Sequence, residues 1–248
     1  MLSAFLIVKN EAVDLPGCLA SLKGLADDLV VVVDSASSDG TAELAKTAGA
    51  RVFSRTFDGF ATQKQFALNL CTQDWVLSID ADERVSPELA SEIKRILQQP
   101  DAADGYELRR DMYFLGHRLR HGGVGTDWPL RLFKRAKGKF STVSVHERIE
   151  ISGRVARLGQ ALSHFSYATI DEYTAKCDHY TSLSAQDLFK EGRHFSALDH
   201  LRPGWELIQR ILLRGAWLDG QPGLIYAALS AHAAWLRAVK LWALEKKR

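Results

Sequence analysis

The first 80 residues contain four continuous apolar runs, at 3–8, 29–33, 52–53 and 75–79, and each run is followed by polar residues. A strand that is buried on both faces of a sheet requires such a run, whereas a strand with one solvated face alternates. Helical segments separate the runs, starting near Asp14, at 41–48 and at about 62–70. This alternation predicts right-handed crossovers and an α/β fold with a mainly parallel sheet flanked by helices.

The rest of the chain changes pattern twice. From Tyr106 onward the sequence predicts strands, including 131–134 and 143–151, and after His164 it has helical periodicity almost to its end. We therefore expect a sheet-containing domain at 1–165, with halves at 1–108 and 109–165, followed by a C-terminal helical extension at 166–248.

The net charge of +2 conceals a strong asymmetry along the chain. Residues 1–108 carry 9 Lys/Arg against 17 Asp/Glu, whereas residues 109–157 carry 12 against 4. An acidic half beside a basic segment suits a metal-binding site next to a surface for anionic partners. The basic segment lacks the interleaved aromatic residues of a single-strand nucleic-acid site, so we expect no nucleic-acid partner.

The cysteines and the longest apolar stretch indicate the compartment. Cys18, Cys71 and Cys177 are far apart, with no pair at metal-ligand spacing, and no secretory leader pattern precedes the first strand. We expect a reduced, cytoplasmic protein. The stretch 224–235 is shorter than the roughly 20 apolar residues of a membrane span, so we expect it to touch a membrane at most.

The triplet Asp80-Ala81-Asp82 directly follows the fourth run. Residues i and i+2 of an extended chain project to the same side, so both carboxylates can approach one Mg²⁺ or Mn²⁺ ion. Such an ion neutralises the charge of a departing diphosphate. The alternative is a solvated turn before a helix, because Ser86-Pro87-Glu88 is a good capping sequence.

Other polar residues follow the first two runs, and they belong at the same sheet edge as the triplet because ligands bind beyond the carboxyl ends of parallel strands. Asp34 is placed to accept a hydrogen bond from the imide N–H of uracil. Glu11 is placed to hold the ribose or the base, with Asn10 shaping the turn. Lys64, near the start of the third helix, is placed to reach a phosphate, although an exposed helical lysine is an equal alternative.

Four motifs, in this order and at spacings that suit one fold, resemble glycosyltransferase family 2 with the GT-A fold. They are Ile7-Val-Lys-Asn-Glu11, Val32-Val-Asp-Ser-Ala-Ser-Ser-Asp-Gly-Thr41, Phe60-Ala-Thr-Gln-Lys64 and Trp75-Val-Leu-Ser-Ile-Asp-Ala-Asp-Glu83. Two later motifs resemble the heptose β-glucosyltransferase branch of lipopolysaccharide inner-core enzymes: Arg131-Leu-Phe-Lys-Arg135 and Val145-His-Glu-Arg148.

The resemblance implies transfer of a hexose, glucose in that branch, from a UDP-sugar to a core sugar such as heptose, with inversion at the anomeric carbon. It makes 1–108 the nucleotide-sugar half and 109–165 the acceptor half. It places Glu11 and Asp34 on the nucleoside, Asp82 on the metal, and Asp80 toward the ribose and diphosphate. From the residues alone, both Asp80 and Asp82 remain metal candidates.

An inverting transfer needs a base for the acceptor hydroxyl, and the stretch 143–151 supplies two candidates. Alternation places Glu147 as the charged residue on an otherwise apolar face, where burial favours the protonated form and raises the pKa of the carboxyl. We predict Glu147 as the base, with the neighbouring His146 as the second candidate. The alternative is a buried ion pair of Glu147 with Arg131 or Arg148.

The acceptor side is basic, and the tail combines tryptophan with basic residues. Guanidinium groups bind phosphate and carboxylate well, and Arg131, set in an apolar strand, is our specific acceptor residue. Aromatic and basic residues on the helices after Trp205 are typical of a membrane surface, as an alternative to a helical cap or a dimer contact. We expect an anionic glycolipid acceptor and peripheral attachment to the inner face of the inner membrane, with the oligomeric state undetermined.

Three other functions compete with this interpretation. A nucleotidyltransferase on a related fold should have a glycine-rich loop after the first strand, and 9–11 contains no glycine. A hexosyltransferase that acts on a polyprenyl phosphate or a protein would share the same donor site. A non-catalytic membrane or nucleic-acid adaptor would use the acids only as helix caps.

Overall fold

The four apolar runs form the parallel half of a mixed sheet in the computed structural model, which describes residues 1–141 and 148–246. The four strands lie in the order β3-β2-β1-β4, and all neighbours are parallel. The strands are β1 (Leu2–Val8), β2 (Asp28–Asp34), β3 (Arg51–Arg55) and β4 (Trp75–Ser78), and the intervening helices are α1 (Leu15–Leu22), α2 (Thr41–Thr47) and α3 (Phe60–Leu70). The predicted alternation of parallel strands and helices is therefore confirmed.

Both faces of this parallel half are covered, which explains why its strands have no polar alternation. Leu6 of β1 and Val31 of β2 belong to the hydrophobic core that includes α1. Phe5 and Val32 belong to a second core with residues of α3. Because successive side chains point to opposite faces, each apolar run supplies both cores.

Antiparallel strands extend the sheet beyond β4, in the order β4-β8-β6-β11-β5. These strands are β5 (Glu83–Arg84), β6 (Gly105–Phe114), β8 (Leu130–Lys134) and β11 (Val155–Tyr167); β7 (His117–Arg118) pairs with β6, and β9 (Gly138–Ser141) pairs with β10 (Arg148–Ile151). The predicted strand at 143–151 is described only from Arg148 onward.

The predicted capping sequence at Ser86 agrees with the structure, and a glycine ends another helix. The helix α4 (Pro87–Leu97) starts after Ser86, whose hydroxyl accepts a hydrogen bond from the Leu89 N–H at 3.2 Å. Gly49, two residues after α2, has the left-handed φ of 84° that ends a helix at low cost for glycine. Ser86 thus caps α4 whatever the chemistry of the acids that precede it.

The chain divides into two compact units, the first formed by Met1–Arg110 with Asp127–His164 and the second by Asp111–Thr126 with the chain from Phe165 onward. The second unit has a core around Phe114, Leu119 and Tyr173. Its helices are α5 (Ile170–Lys190), α6 (Arg202–Ile208) and α7 (Gly220–Glu245), with a short π-helical segment at Gln209–Leu213 and 3-10 turns at Ala197–His200 and Ala216–Asp219.

The helical part starts later than the sequence pattern indicates, because β11 continues to Tyr167, three residues past His164. Within the described residues, the structure contains no helix long and apolar enough to cross a membrane.

Candidate active site

The carboxyl ends of β1, β2 and β4 meet at one edge of the sheet, as predicted. The parallel register pairs Val8 with Val33, so the loop after β1 lies beside Asp34, the last residue of β2. β4 is parallel to β1 on its other side and leads directly into the acidic triplet. Parallel pairing therefore brings these loops, distant in sequence, to the end of the sheet where α/β proteins bind ligands.

Hydrogen bonds tie the loop after β1 to the loop after β2. Asn10 has a left-handed φ of 53°, and its side-chain oxygen accepts a hydrogen bond from the Ser38 N–H at 2.9 Å. The Glu11 N–H donates to the Thr41 hydroxyl at 2.9 Å. Asp39 accepts hydrogen bonds from the backbone N–H groups of Thr41 and Ala12, at 3.2 and 3.0 Å. Asn10 thus shapes the turn, and Asp39 organises both loops.

Asp34 is a fixed, ionised carboxylate at this edge. The residue is only 6% exposed, and its Oδ1 accepts the Ala36 N–H at 3.0 Å while Lys9 Nζ lies 3.2 Å from Oδ2. The Ala36 hydrogen bond and the Lys9 cation hold the pKa of the Asp34 carboxyl below its ordinary value. The group is therefore an acceptor at neutral pH, as a contact to an imide N–H requires.

Asp80 carries two cationic partners. Lys64 Nζ lies 3.3 Å from Asp80 Oδ1, and the Arg131 guanidinium hydrogen-bonds Asp80 Oδ2. Burial acts to raise the pKa of Asp80, but Arg131 and Lys64 outweigh it and hold the pKa below its ordinary value. The Asp80 side chain is still 34% exposed, whereas Lys64 is 5% exposed and is not the solvated helical lysine of the alternative interpretation.

Glu83 is a site residue that sequence reasoning missed. Its side chain is 0% exposed, and it accepts the Asp80 N–H at 3.0 Å and the Arg131 guanidinium at 2.8 Å. Arg110 Nη1 lies 3.7 Å from the same carboxylate. Burial raises the pKa of Glu83 above its ordinary value, against the pull of Arg131. The sequence signal for this role is an acid directly after the triplet. Its partner Arg131 is 48 residues away, so the ion pair could not be predicted from the local sequence.

Arg84 fixes the triplet loop to the start of α1. Its guanidinium donates to the carbonyl oxygens of Ala81 at 2.6 Å and Asp14 at 2.7 Å. A Cβ atom at Gly17 would lie 2.5 Å from Arg84 Nε, so glycine leaves the room that this arginine needs. Arg84 therefore links the backbone next to Asp82 to the backbone at the start of α1.

Asp82, the second acid of the triplet, lies beside a histidine. Its Oδ2 lies 3.2 Å from His164 Nε2, and each side chain is 21% exposed. The described residues contain no group of three or more His, Cys, Asp or Glu side chains arranged to hold a metal. An Mg²⁺ ion completed by phosphate oxygens and water needs only one or two carboxylates. Asp82, with Asp80 beside it in sequence, meets that donor requirement.

Of the residues predicted for the acceptor side, the structure describes Arg131. Arg131, our acceptor residue, is 6% exposed and has its guanidinium on Asp80 and Glu83. Glu147 and His146, the two candidates for the base, lie outside the described residues, so their roles stay predictions.

The chain matches the model of the family "Glycosyl transferase family 2" over residues 3–152. It is 36% identical over 252 residues, 97% of this chain and 92% of the relative, to the lipopolysaccharide core biosynthesis glycosyltransferase LpsC of Rhizobium meliloti. The resemblance seen in the four motifs is thereby confirmed over nearly the whole chain.

Two solved structures share the fold at low sequence identity. Staphylococcus aureus TarS 1-349 in complex with UDP has a TM-score of 0.51 at 15% identity, covering 100% of this chain and 92% of that one. The mannosyltransferase PcManGT from Pyrobaculum calidifontis, in complex with GDP-Man and Mn²⁺, has a TM-score of 0.51 at 16% identity, covering 100% and 75%. These likenesses confirm the predicted GT-A fold. With its family match and its glycosyltransferase relative, the chain belongs to glycosyltransferase family 2.

Proposed function

We propose that this glycosyltransferase transfers a hexose, glucose as the first choice, from a UDP-sugar to a lipopolysaccharide core sugar such as heptose, with inversion. The observation that carries the proposal is the ionised, hydrogen-bonded Asp34 at the same sheet edge as the Asp80-Ala81-Asp82 triplet. TarS in complex with UDP supports the uridine donor, and the name of LpsC supports the core acceptor.

The donor half at 1–108 holds the nucleotide through residues of the strand-end loops. Asp34 accepts the hydrogen bond from the imide N–H of uracil, and Glu11 and Asn10 border the nucleoside. Lys64, held 3.3 Å from Asp80, adds positive charge beside the diphosphate. Beside its contacts with Ala36 and Lys9, Asp34 would gain a hydrogen bond from the imide N–H of uracil that cytosine or adenine cannot donate, which gives the site a preference for uridine over those nucleosides.

Asp82 and Asp80 would hold an Mg²⁺ or Mn²⁺ ion, which would neutralise the charge of the leaving diphosphate. PcManGT, in complex with Mn²⁺, supports a divalent ion in this fold. Because Arg131 and Lys64 already neutralise Asp80, we assign Asp82 the larger share of the metal contact. Arg131 then orients Asp80 and remains the proposed contact with the acceptor.

The acceptor half at 109–165 supplies the base. Glu147 takes the proton of the attacking hydroxyl on the face of the sugar opposite the diphosphate, and His146 is the second candidate. General-base catalysis of this kind contributes about 10²–10⁴ in rate. An acceptor rooted in lipid places the enzyme at the inner face of the inner membrane, with the helical extension at 166–248 toward the lipid.

A donor screen that measures slow UDP release without acceptor tests the donor assignment. We expect UDP-glucose to be hydrolysed with Mg²⁺ or Mn²⁺ present, and Asp82→Ala to lose all metal-dependent turnover. Asp101→Ala, at an exposed aspartate outside the site, should match the wild type. Equal turnover in Asp82→Ala would remove the metal assignment.

A transfer assay separates the acceptor classes and the base. We expect heptose-terminated core oligosaccharide to accept the sugar, whereas polyprenyl phosphate and unfolded protein should not. Glu147→Gln should keep UDP binding and lose transfer by about 10²–10⁴, while Glu150→Gln, at an exposed glutamate of β10, should transfer normally. Normal transfer by Glu147→Gln with loss in His146→Gln would make His146 the base.

A further inference from the structure

The segment from Leu198 to Leu218 exposes large apolar side chains to solvent, although it belongs to a folded unit. Within the described chain, eight such side chains here are between 49% and 72% exposed: Leu198, Leu201, Trp205, Ile208, Leu212, Leu213, Trp217 and Leu218. Large apolar side chains exposed together in one short segment mark an interaction site. We call these eight side chains the insertion face.

Helical spacing puts the central members on one side. Leu201, Trp205, Ile208 and Leu212 are separated by four, three and four residues, from the N-cap of α6 through the helix into the π-helical segment that continues it. Side chains at this spacing lie one above the other. Four of the eight side chains of the insertion face therefore form a stripe along this helical segment, and Leu198, Trp217 and Leu218 lie in the 3-10 turns on either side of it.

The scaffold under the stripe is fixed by polar contacts within the second unit. Arg210 donates to Glu206 at 2.7 Å and to the Gly122 carbonyl at 2.7 Å. Asp219 accepts the backbone N–H groups of Arg120 and His121 at 2.9 and 2.8 Å, which anchors the turn carrying Trp217. Arg210 and Asp219 are thus held largely buried, while the large apolar side chains of the same segment face solvent.

The charge around the stripe selects the partner. Residues 193–248 carry 9 Lys/Arg against 4 Asp/Glu, a net of +5. Within the segment of the stripe itself, Arg202 and Arg210 pair with Asp199 and Glu206, and Arg214 is an exposed additional cation. A symmetric contact with a second copy would bring two segments of net positive charge together. An anionic lipid surface attracts the same charge, and tryptophan and leucine beside arginine are the composition of helices that lie in that interface.

We infer that the insertion face enters the headgroup and acyl boundary of an anionic lipid bilayer, with α6 lying in the membrane plane. The inference extends the proposed function, since it names the surface by which the enzyme would reach a lipid-linked acceptor. Its test needs no turnover, so the two can fail separately.

Vesicle flotation of the full chain tests the inference. We expect the protein to float with vesicles of phosphatidylcholine and phosphatidylglycerol and to bind pure phosphatidylcholine at least tenfold more weakly. Tryptophan emission should shift to the blue on binding, and lipids brominated near the headgroup should quench it. No flotation of the wild type with anionic vesicles would overturn the inference.

The test variant is Trp205→Ser with Leu212→Ser, and the matched control is Trp235→Ser with Leu183→Ser, at exposed positions outside the stripe. We expect the test variant to lose at least tenfold in vesicle affinity and the control to bind as the wild type does. Equal affinity of test variant and wild type would overturn the inference. So would a wild-type dimer in sedimentation velocity that the test variant loses while neither protein binds vesicles.

Thermal unfolding of both double variants verifies that each is folded, and UDP release without acceptor should be the same in both. If the wild type floats with vesicles but releases no UDP from any donor, the proposed chemistry fails and the insertion face stands.

Discussion

Replacing Arg131 by methionine should destabilise the first unit more than any exposed arginine substitution. Arg131 is 6% exposed and neutralises Glu83, which is 0% exposed, together with Asp80. Without the guanidinium, two carboxylates face each other with Lys64 and Arg110 as the remaining nearby cations. Breaking a buried ion pair by removing one partner costs about 3–5 kcal/mol. Because methionine fills a similar volume, the loss of stability measures the effect of the missing charge and not that of a cavity.

Thermal and urea unfolding of the wild type, Arg131→Met and Arg95→Met measure this cost. At about 2–4 °C per kcal/mol for a chain of this size, Arg131→Met should lower Tm by about 6–20 °C. Arg95 is 67% exposed with a partner 3.9 Å away, so Arg95→Met should change stability by less than about 0.5 kcal/mol.

A second substitution distinguishes a charge effect from a packing effect. Adding Glu83→Gln to Arg131→Met removes one of the two facing carboxylates, so it should recover part of the lost stability. Independent sites would instead give additive losses. An Arg131→Met protein as stable as Arg95→Met, or a double variant with the summed loss of both single variants, would refute the reasoning.

Two further predictions concern stability outside the acidic network. Burial acts to raise the pKa of Asp28, but hydrogen bonds from Ser3 and Thr72 outweigh it and hold the pKa below its ordinary value. Asp28→Asn should therefore lower the free energy of unfolding by about 1–3 kcal/mol at pH 7. Below about pH 4 the unfolded carboxyl binds a proton more tightly than the folded one does, so urea unfolding should show the difference in stability between wild type and variant becoming smaller there. A difference that grows toward acid pH would contradict the assignment. Ser86→Ala should cost about 1 kcal/mol through loss of the α4 cap, whereas Ser91→Ala, at an exposed position in the same helix, should be near neutral; equal urea midpoints for the two variants would contradict the cap.

The parallel half of the fold was predictable because its physical cause is local. A strand covered by α1 on one face and by α3 on the other must be apolar at every position, and the run at 29–33 is apolar throughout. The antiparallel half was harder to predict from the sequence. β8 enters the sheet between β4 and β6, and that choice of neighbours depends on pairing between residues that are more than 20 positions apart in the sequence.

The site was predictable where a residue's place follows from a strand end, as for Asp34 and Asp80. It was not predictable where a role depends on a distant partner. Lys64 is buried against Asp80 because α3 packs on the sheet. A helical pattern alone does not reveal which side of the helix faces the sheet. Glu83 and Arg131 meet only because β5 and β8 join the same sheet.

Heat protection by UDP is the most direct test that the strand-end acids hold a nucleotide and a divalent ion. A ligand at about 100 times its Kd stabilises the folded state by about 2.7 kcal/mol, or about 5–11 °C in Tm. We predict this shift for the wild type with UDP and Mn²⁺, a much smaller one with UDP and EDTA, and no metal-dependent part in Asp82→Asn. A shift in Asp82→Asn that equals the wild-type shift and still requires Mn²⁺ would contradict the metal site at the triplet.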